Sequence, residues 1–242
     1  MFLAPADTPG IEILRNVNTG VGDPADGTHA YMRFTDVRVP ADHLLGPEGS
    51  GFEIAQTRLS GGRLHHAMRT IAQARQALDM MCERVLSRTT KGSLLSEKQF
   101  AQAAISDSYI ELEQFRLFVL RTAWLIDQQG YLAARKDVAA CKVQAAKVLQ
   151  DVVGRSMHLH GALGVSADLP LHRMWRQAPW MGVHDGPTEV HQTTVVRQLL
   201  RGYEPHPGLW PRMHLPQRLA DAQVTVAAAI ERAEREAAAV TG

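Results

Sequence analysis

Apolar side chains recur three and four residues apart from Phe52 to Leu200, and that spacing predicts long helices. Ala67, Ile71, Ala74, Leu78, Met81 and Val85 line one face of a first helix. Ile105, Tyr109, Leu112, Phe115, Val119, Ala123 and Ile126 mark a second, and Val138, Cys141, Ala145, Val148 and Val152 a third. Helices longer than the ordinary dozen or so residues usually pack side by side in a bundle. A fourth begins at the corner Val183-His184-Asp185-Gly186-Pro187-Thr188-Glu189-Val190-His191, with Gly186 placed to cap it, Pro187 at its first position and its end at Leu200. Ahead of Phe52 the texture differs. Residues 11–15 and 29–39 alternate apolar and polar side chains between clusters of Gly, Pro, Asp and Asn, which predicts short strands joined by loops. Beyond Leu200 a Pro-rich stretch, Pro205 to Pro211, precedes an Ala- and Glu/Arg-rich helix from about Leu215 to Val240, an appendage or an oligomer contact. The expected fold is mainly α: a partial β-domain over 1–50, a helical bundle over 51–203, and a linker with a C-terminal helix over 204–242.

Composition narrows the function classes. The 242 residues carry a net charge of +1 with both signs interspersed, so no nucleic-acid surface is expected and no basic recognition helix supports a DNA-binding regulator. The run Glu231-Arg232-Ala233-Glu234-Arg235-Glu236 reads as a solvated helix face. Cys82 and Cys141 fall within apolar helical patterns and read as small buried hydrophobes, in keeping with a reducing compartment. No apolar run approaches a membrane span and the start lacks a signal-peptide pattern, so the expectation is a soluble, cytoplasmic protein. Eleven histidines lack the spacing of a zinc site, and no metal is expected.

Asp185 is the residue with the most chemistry to explain. A carboxylate immediately outside a helix start is either a favourable charge at the positive end of the helix dipole or a working base, and the local sequence leaves both open.

Several separated runs in a fixed order resemble the acyl-CoA dehydrogenase family over about residues 1–200. These are Asp7-Thr8-Pro9-Gly10-Ile11, Phe34-Thr35-Asp36-Val37-Arg38-Val39-Pro40, Gly49-Ser50-Gly51-Phe52, Arg88-Thr89-Thr90-Lys91-Gly92 with Gln99 downstream, His160-Gly161-Ala162-Leu163-Gly164, and the Asp185 corner. The Arg63-Leu64-His65-His66-Ala67-Met68-Arg69-Thr70-Ile71 run and the corner are similar to the branch that animals fuse to a kinase-like domain, in which the base is aspartate. The resemblance implies that Asp185 removes the α-proton of an acyl-CoA thioester while hydride leaves the β-carbon for FAD. It also implies that Arg88 reaches the FAD pyrophosphate of a neighbouring subunit and that Thr90 and Gln99 contact the flavin nucleotide. By the same resemblance His158, Gly161 and Gly164 approach the diphosphate and adenosine of the paired subunit, and Glu189 lies near its adenosine end. Arg63 would help hold CoA. Lys91, Ala162 and Ser60 replace the family's usual aromatic, second glycine and acid at their positions.

The family's initial helical domain and first half of its β-domain have no counterpart before Met1. A truncated gene, a fragment, or a heteromer whose other chain supplies that half would each account for this. The resulting expectation is an FAD-dependent acyl-CoA dehydrogenase, or the C-terminal part of one, passing electrons to an electron-transfer flavoprotein and assembling as a dimer, tetramer or heteromer. The alternative is a non-catalytic subunit or scaffold that pairs with a fuller dehydrogenase chain.

Overall fold

A computed structural model describes residues 1–18, 27 and 29–240, and it is built around three long helices: α1 (Gly51–Ser87), α2 (Gln99–Ala133) and α3 (Arg135–His160). Their cross-contacts give alternating directions. Arg63, early in α1, reaches Tyr131 near the end of α2, and Arg121 and Thr122, late in α2, meet Asp137 and Cys141 at the start of α3. At the opposite end, Arg155 of α3 makes a forked pair with Glu111 of α2, both N···O distances being 3.0 Å. The core between them is built from Ala67, Ala74 and Leu78, from Leu112, Phe115 and Val119, and from Cys141, Ala145, Val148 and Val152, all buried. Alanines at the contact positions let the helix axes approach closely.

The first and third predicted faces are the buried ones. In α2 the buried stripe is Ser108, Leu112, Phe115, Val119 and Thr122, so the expected Tyr109 turns out to be exposed. The reason is hydroxyl satisfaction. Ser108 and Thr122 donate to the carbonyls of Ala104 and Phe118 four residues back, which lets polar side chains occupy core positions that an apolar pattern passes over.

The turn from α1 to α2 is a tight hairpin, β3 (Thr89–Thr90) with β4 (Ser93–Leu94), followed by a 3-10 turn over Leu95–Glu97. Gly130, with φ of +80°, breaks α2 shortly before α3 begins, a conformation that glycine adopts without a Cβ penalty. After α3 come the short α4 (Ala162–Val165), then α5 (Leu171–Met181) and α6 (Thr188–Leu200). Helix α5 was not anticipated from the sequence. It buries Leu171, Met174, Ala178 and Met181, a three-four-three spacing masked by Pro170, Pro179 and the His, Arg and Trp residues between them.

Ahead of the bundle, β1 (Ile11–Val17) pairs antiparallel with β2 (His29–Phe34), from Ile11 opposite Phe34 to Val17 opposite His29, with a bulge between Ile13 and Arg15. The second strand was expected to reach residue 39. It stops at Phe34 because β1 begins at its partner Ile11, and Asp36 then turns into the left-handed region at φ 47°. Ile13, Tyr31 and Phe34 are exposed on this hairpin.

The chain divides into two compact units, Met1–Gln198 and Leu199–Gly242. The second contains α7 (Leu215–Val240), exposed along its described length, where Arg235 pairs with Glu231 one turn back. Among the described residues no helix is long and apolar enough to cross a membrane.

Candidate active site

Six residues join the end of α5 at Met181 to the start of α6 at Thr188, and hydrogen bonds from α3, α1 and α6 hold that corner. Lys142 of α3 donates its ammonium to the Met181 carbonyl at 2.6 Å. The Gly182 carbonyl accepts the Thr188 amide at 2.9 Å and the Thr188 hydroxyl at 3.2 Å. The Asp185 carbonyl accepts the Arg63 Nε–H at 3.0 Å and faces His191 Nε2 at 3.2 Å. Helix α6 starts one residue later than expected: Gly186 has φ of +115°, and it is the Pro187 carbonyl that accepts the first helical amide, from His191.

This web holds Asp185 in the left-handed region at φ 55°, where a short polar side chain is better tolerated than a bulky one. The consequence is directional. The carboxylate points back at α1, with Oδ2 at 3.1 Å from His66 Nε2, and the Asp185 side chain is only 15% exposed. Gly62 is what makes room, since a Cβ built there would lie 2.7 Å from the same oxygen.

The surrounding groups are basic. His66 titrates below its ordinary value, chiefly because burial penalises the charged ring, with the Asp185 carboxylate pulling the other way. Its Nδ1 is buried without a partner. A neutral ring that donates Nε2–H to Asp185 leaves only a lone pair orphaned there, whereas an imidazolium would orphan an N–H, so hydrogen-bond accounting assigns the neutral Nε2–H tautomer. His184 and His191 are likewise lowered, first by burial. Lys142 is 1% exposed, and burial pushes its ammonium down to about 8 against the attraction of Asp185.

Asp185 stands in the wall between two cavities. One, of about 500 Å³, is lined by Phe52, Leu59, Arg63, Tyr131, Arg135 and Val190 among others. The other, of about 430 Å³, is lined by His29, Arg58, Gly62, His65, His66 and His184. Trp180, Met181 and Val183, the apolar neighbours of Asp185 along the chain, are not among the residues that line either cavity. Met181 is buried in the core, Trp180 lies against the His184 ring at 5.7 Å, and Val183 is 66% exposed.

Of the residues singled out from sequence, Arg63 and Asp185 are brought into contact. Arg63 spends its whole guanidinium inside the chain, on the Asp185 carbonyl, on Gln56 Oε1 at 3.0 Å and on the Tyr131 hydroxyl at 3.4 Å. Arg88, Thr90 and Gln99 gather around the β3–β4 turn, and His158, Gly161 and Gly164 around the end of α3. Both groups sit at the opposite end of the bundle from Asp185. Arg63 and Arg88 are separated by most of α1, about 35 Å at 1.5 Å per residue. Glu189 is exposed in the first turn of α6.

The far end leaves a cation and two apolar side chains bare. Arg88 is exposed and no partner for its guanidinium appears among the described residues, while Phe100 and Leu86 beside the turn are 93% and 67% exposed. A charged fork beside bare apolar surface matches a diphosphate next to an aromatic ring system. Gly164 packs against the Met157 backbone, and Gly161, at φ +66°, caps α3, so local structure already accounts for both glycines.

His66, Lys142 and His191 were not picked out as site residues from sequence. Lys142 carried the clearest signal, a lysine set among Val138, Cys141, Ala145 and Leu149 on a buried stripe.

Comparison with known proteins adds the following. The family model described as acyl-CoA dehydrogenase, C-terminal domain, matches residues 49–200. The chain is 44% identical over 197 residues to "Probable acyl-CoA dehydrogenase FadE2" of Mycobacterium tuberculosis, covering 81% of this chain and 48% of that protein. It is 40% identical over 202 residues to acyl-CoA dehydrogenase family member 11 of Rattus norvegicus, covering 83% of this chain and 26% of the rat protein. The solved structure of butyryl-CoA dehydrogenase from Megasphaera elsdenii superposes with a TM-score of 0.72 at 28% identity, over 83% of this chain and 51% of that one. The chain thus spans about half the length of the mycobacterial relative and about a quarter of the rat one.

Proposed function

This chain belongs to the acyl-CoA dehydrogenase family, and we propose that it forms the C-terminal, base-bearing part of such an enzyme, with Asp185 taking the α-proton of an acyl-CoA thioester. The observation that carries the reading is the placement of one carboxylate, locked in a left-handed corner, between two cavities.

The division of labour follows from the contacts. Asp185 Oδ2 is committed to the His66 Nε2–H, and no hydrogen bond to Oδ1 appears among the described residues. Oδ1 is therefore the oxygen that receives the α-proton, and His66 fixes the carboxylate plane while it does so. Low exposure keeps bulk water from competing for that proton. Bound FAD would supply the hydride acceptor for the β-carbon, so that the product would be a trans-2-enoyl-CoA. Arg88, Thr90 and Gln99 would hold its diphosphate and nucleotide from the far end of a second copy, with His158, Gly161, Gly164 and Glu189 contributing to the adenosine side. Since Arg63 is occupied internally, its part in holding CoA is indirect, through the corner. Arg135 supplies the exposed cation of the larger cavity for the phosphates of the carrier. An electron-transfer flavoprotein would be the partner that takes the electrons onward.

The test is Asp185→Asn in a flavin-loaded assembly that includes the remaining half of the family's length. Asparagine tolerates the left-handed backbone and keeps the side-chain shape, so acyl-CoA binding should persist while turnover collapses. Wild-type turnover in that variant would end the assignment. The scaffold alternative predicts instead a colourless chain that binds a fuller dehydrogenase tightly, with no effect of Asp185→Asn on the partner's rate.

A further inference from the structure

A lysine ammonium 1% exposed inside a helical bundle is costly unless something in the site requires it. Among the described residues Lys142 has one hydrogen-bond acceptor, the carbonyl of Met181, which is the last residue of α5 and stands four positions before Asp185. That carbonyl would otherwise be one of the unsatisfied groups at a helix C-terminus, where a cation is also favoured by the helix dipole. A single contact thus ties α3 to the point from which the corner departs.

The charges facing Lys142 come from three elements. Asp185 on the corner attracts it, and Arg63 on α1 repels it. His66 on α1, His184 on the corner and His191 on α6 all feel its positive charge. Asp185 is the one anion in that set. With burial lowering the three neighbouring imidazoles and Arg63 turned to the Asp185 carbonyl, the Lys142 ammonium is the buried cation that attracts the carboxylate.

We propose that Lys142 is a positioning residue for Asp185, its buried ammonium anchoring the end of α5 and supplying the counter-charge to the carboxylate. The proposal rests on the reading of Asp185 as the base but is tested separately from it. A merely structural lysine would fix α5 and be electrically silent. A counter-charge has to be coupled reciprocally to Asp185 and to the three histidines.

The experiment uses the full 242-residue chain, labelled in lysine and histidine side chains and titrated by NMR, with Lys142 assigned by its loss in Lys142→Met. In the parent, Lys142 should titrate near 8. In Asp185→Asn it should titrate lower, because the attraction of the carboxylate that holds the ammonium up has been removed. In Lys142→Met, the resonances of His66, His184 and His191 should titrate at higher pH than in the parent. An Lys142 that titrates at its ordinary value, or that does not move in Asp185→Asn, overturns the proposal even if Lys142→Met fails to fold. Unmoved histidines in a folded Lys142→Met overturn it as well. Failure of the base reading would appear elsewhere, as retained turnover in Asp185→Asn.

Discussion

His66 Nε2 lies 3.1 Å from Asp185 Oδ2, and the ring is kept neutral by burial, so the carboxylate is oriented by a donor that carries no formal charge. His66→Phe keeps a planar ring of similar volume and removes the donor. Turnover of the loaded assembly should fall about tenfold to a hundredfold through loss of orientation, with acyl-CoA affinity little changed. His66→Asn should recover part of the loss by offering an amide N–H. Equal rates for parent and His66→Phe would show that the contact does no orienting.

Gly62 faces the same oxygen from one turn earlier in α1. Alanine there would raise helix propensity by up to about 1 kcal/mol. The added methyl would stand 2.7 Å from Asp185 Oδ2, and the backbone corner behind that oxygen is pinned by Arg63 and His191. Gly62→Ala should therefore displace the carboxylate and abolish turnover while chemical denaturation shows a net change of only about 1–3 kcal/mol. A fully active Gly62→Ala would mean that the corner gives way freely.

The buried basic groups set the pH dependence of folding. His66, His184 and His191 bind protons less readily folded than unfolded, so acidification through the ordinary value of 6.5 should destabilise the protein. Lys142 has the same sign in a higher window. Between about 8 and 10.5 the unfolded chain holds the proton that the folded chain has released, so its contribution rises with pH across that range. Cys141, held up to about 11 by burial, acts oppositely above 9.0. The clean observable is thus the difference between the parent and Lys142→Met, which should change in favour of the parent from pH 8 to 10.5 in thermal melts. A flat difference would show that Lys142 titrates normally.

The bundle was legible because helical stripes such as Ala67 to Val85 obey one period over many turns. Helix α5 was hidden because Pro170 precedes and Pro179 interrupts a buried spacing of only four residues, and the β2 boundary because strand length depends on where the partner begins. At the site, Asp185 could be singled out from its corner, but its surroundings come from α1, α3 and α6, 122 residues away along the chain in the case of Arg63. Adjacency along the chain supplies only Trp180, Met181 and Val183 as apolar neighbours. Folding instead set Gly62, His66 and Lys142 around the carboxylate, because the up-down order of the helices returns the early part of α1 and of α3 to the same end of the bundle.

That same order makes the strongest demand on assembly. Arg88 is about 35 Å from the Asp185 end of its own chain, measured along α1. If both serve one cofactor, they come from two copies. Arg88→Ala should leave folding within about 0.5 kcal/mol of the parent, since the side chain is exposed, yet weaken flavin retention roughly tenfold or more. Asp185→Asn should retain flavin and lose turnover. Co-assembly of the two variants then discriminates. In a symmetric pair each mixed assembly contains one centre with Asp185 from one copy and Arg88 from the other, both intact. Random pairing of equal amounts should therefore restore about a quarter of the parent activity from two preparations that are each nearly inactive. If Arg88 and Asp185 served the same copy, no pairing would rebuild a complete centre, and the mixture would stay as inactive as its parts.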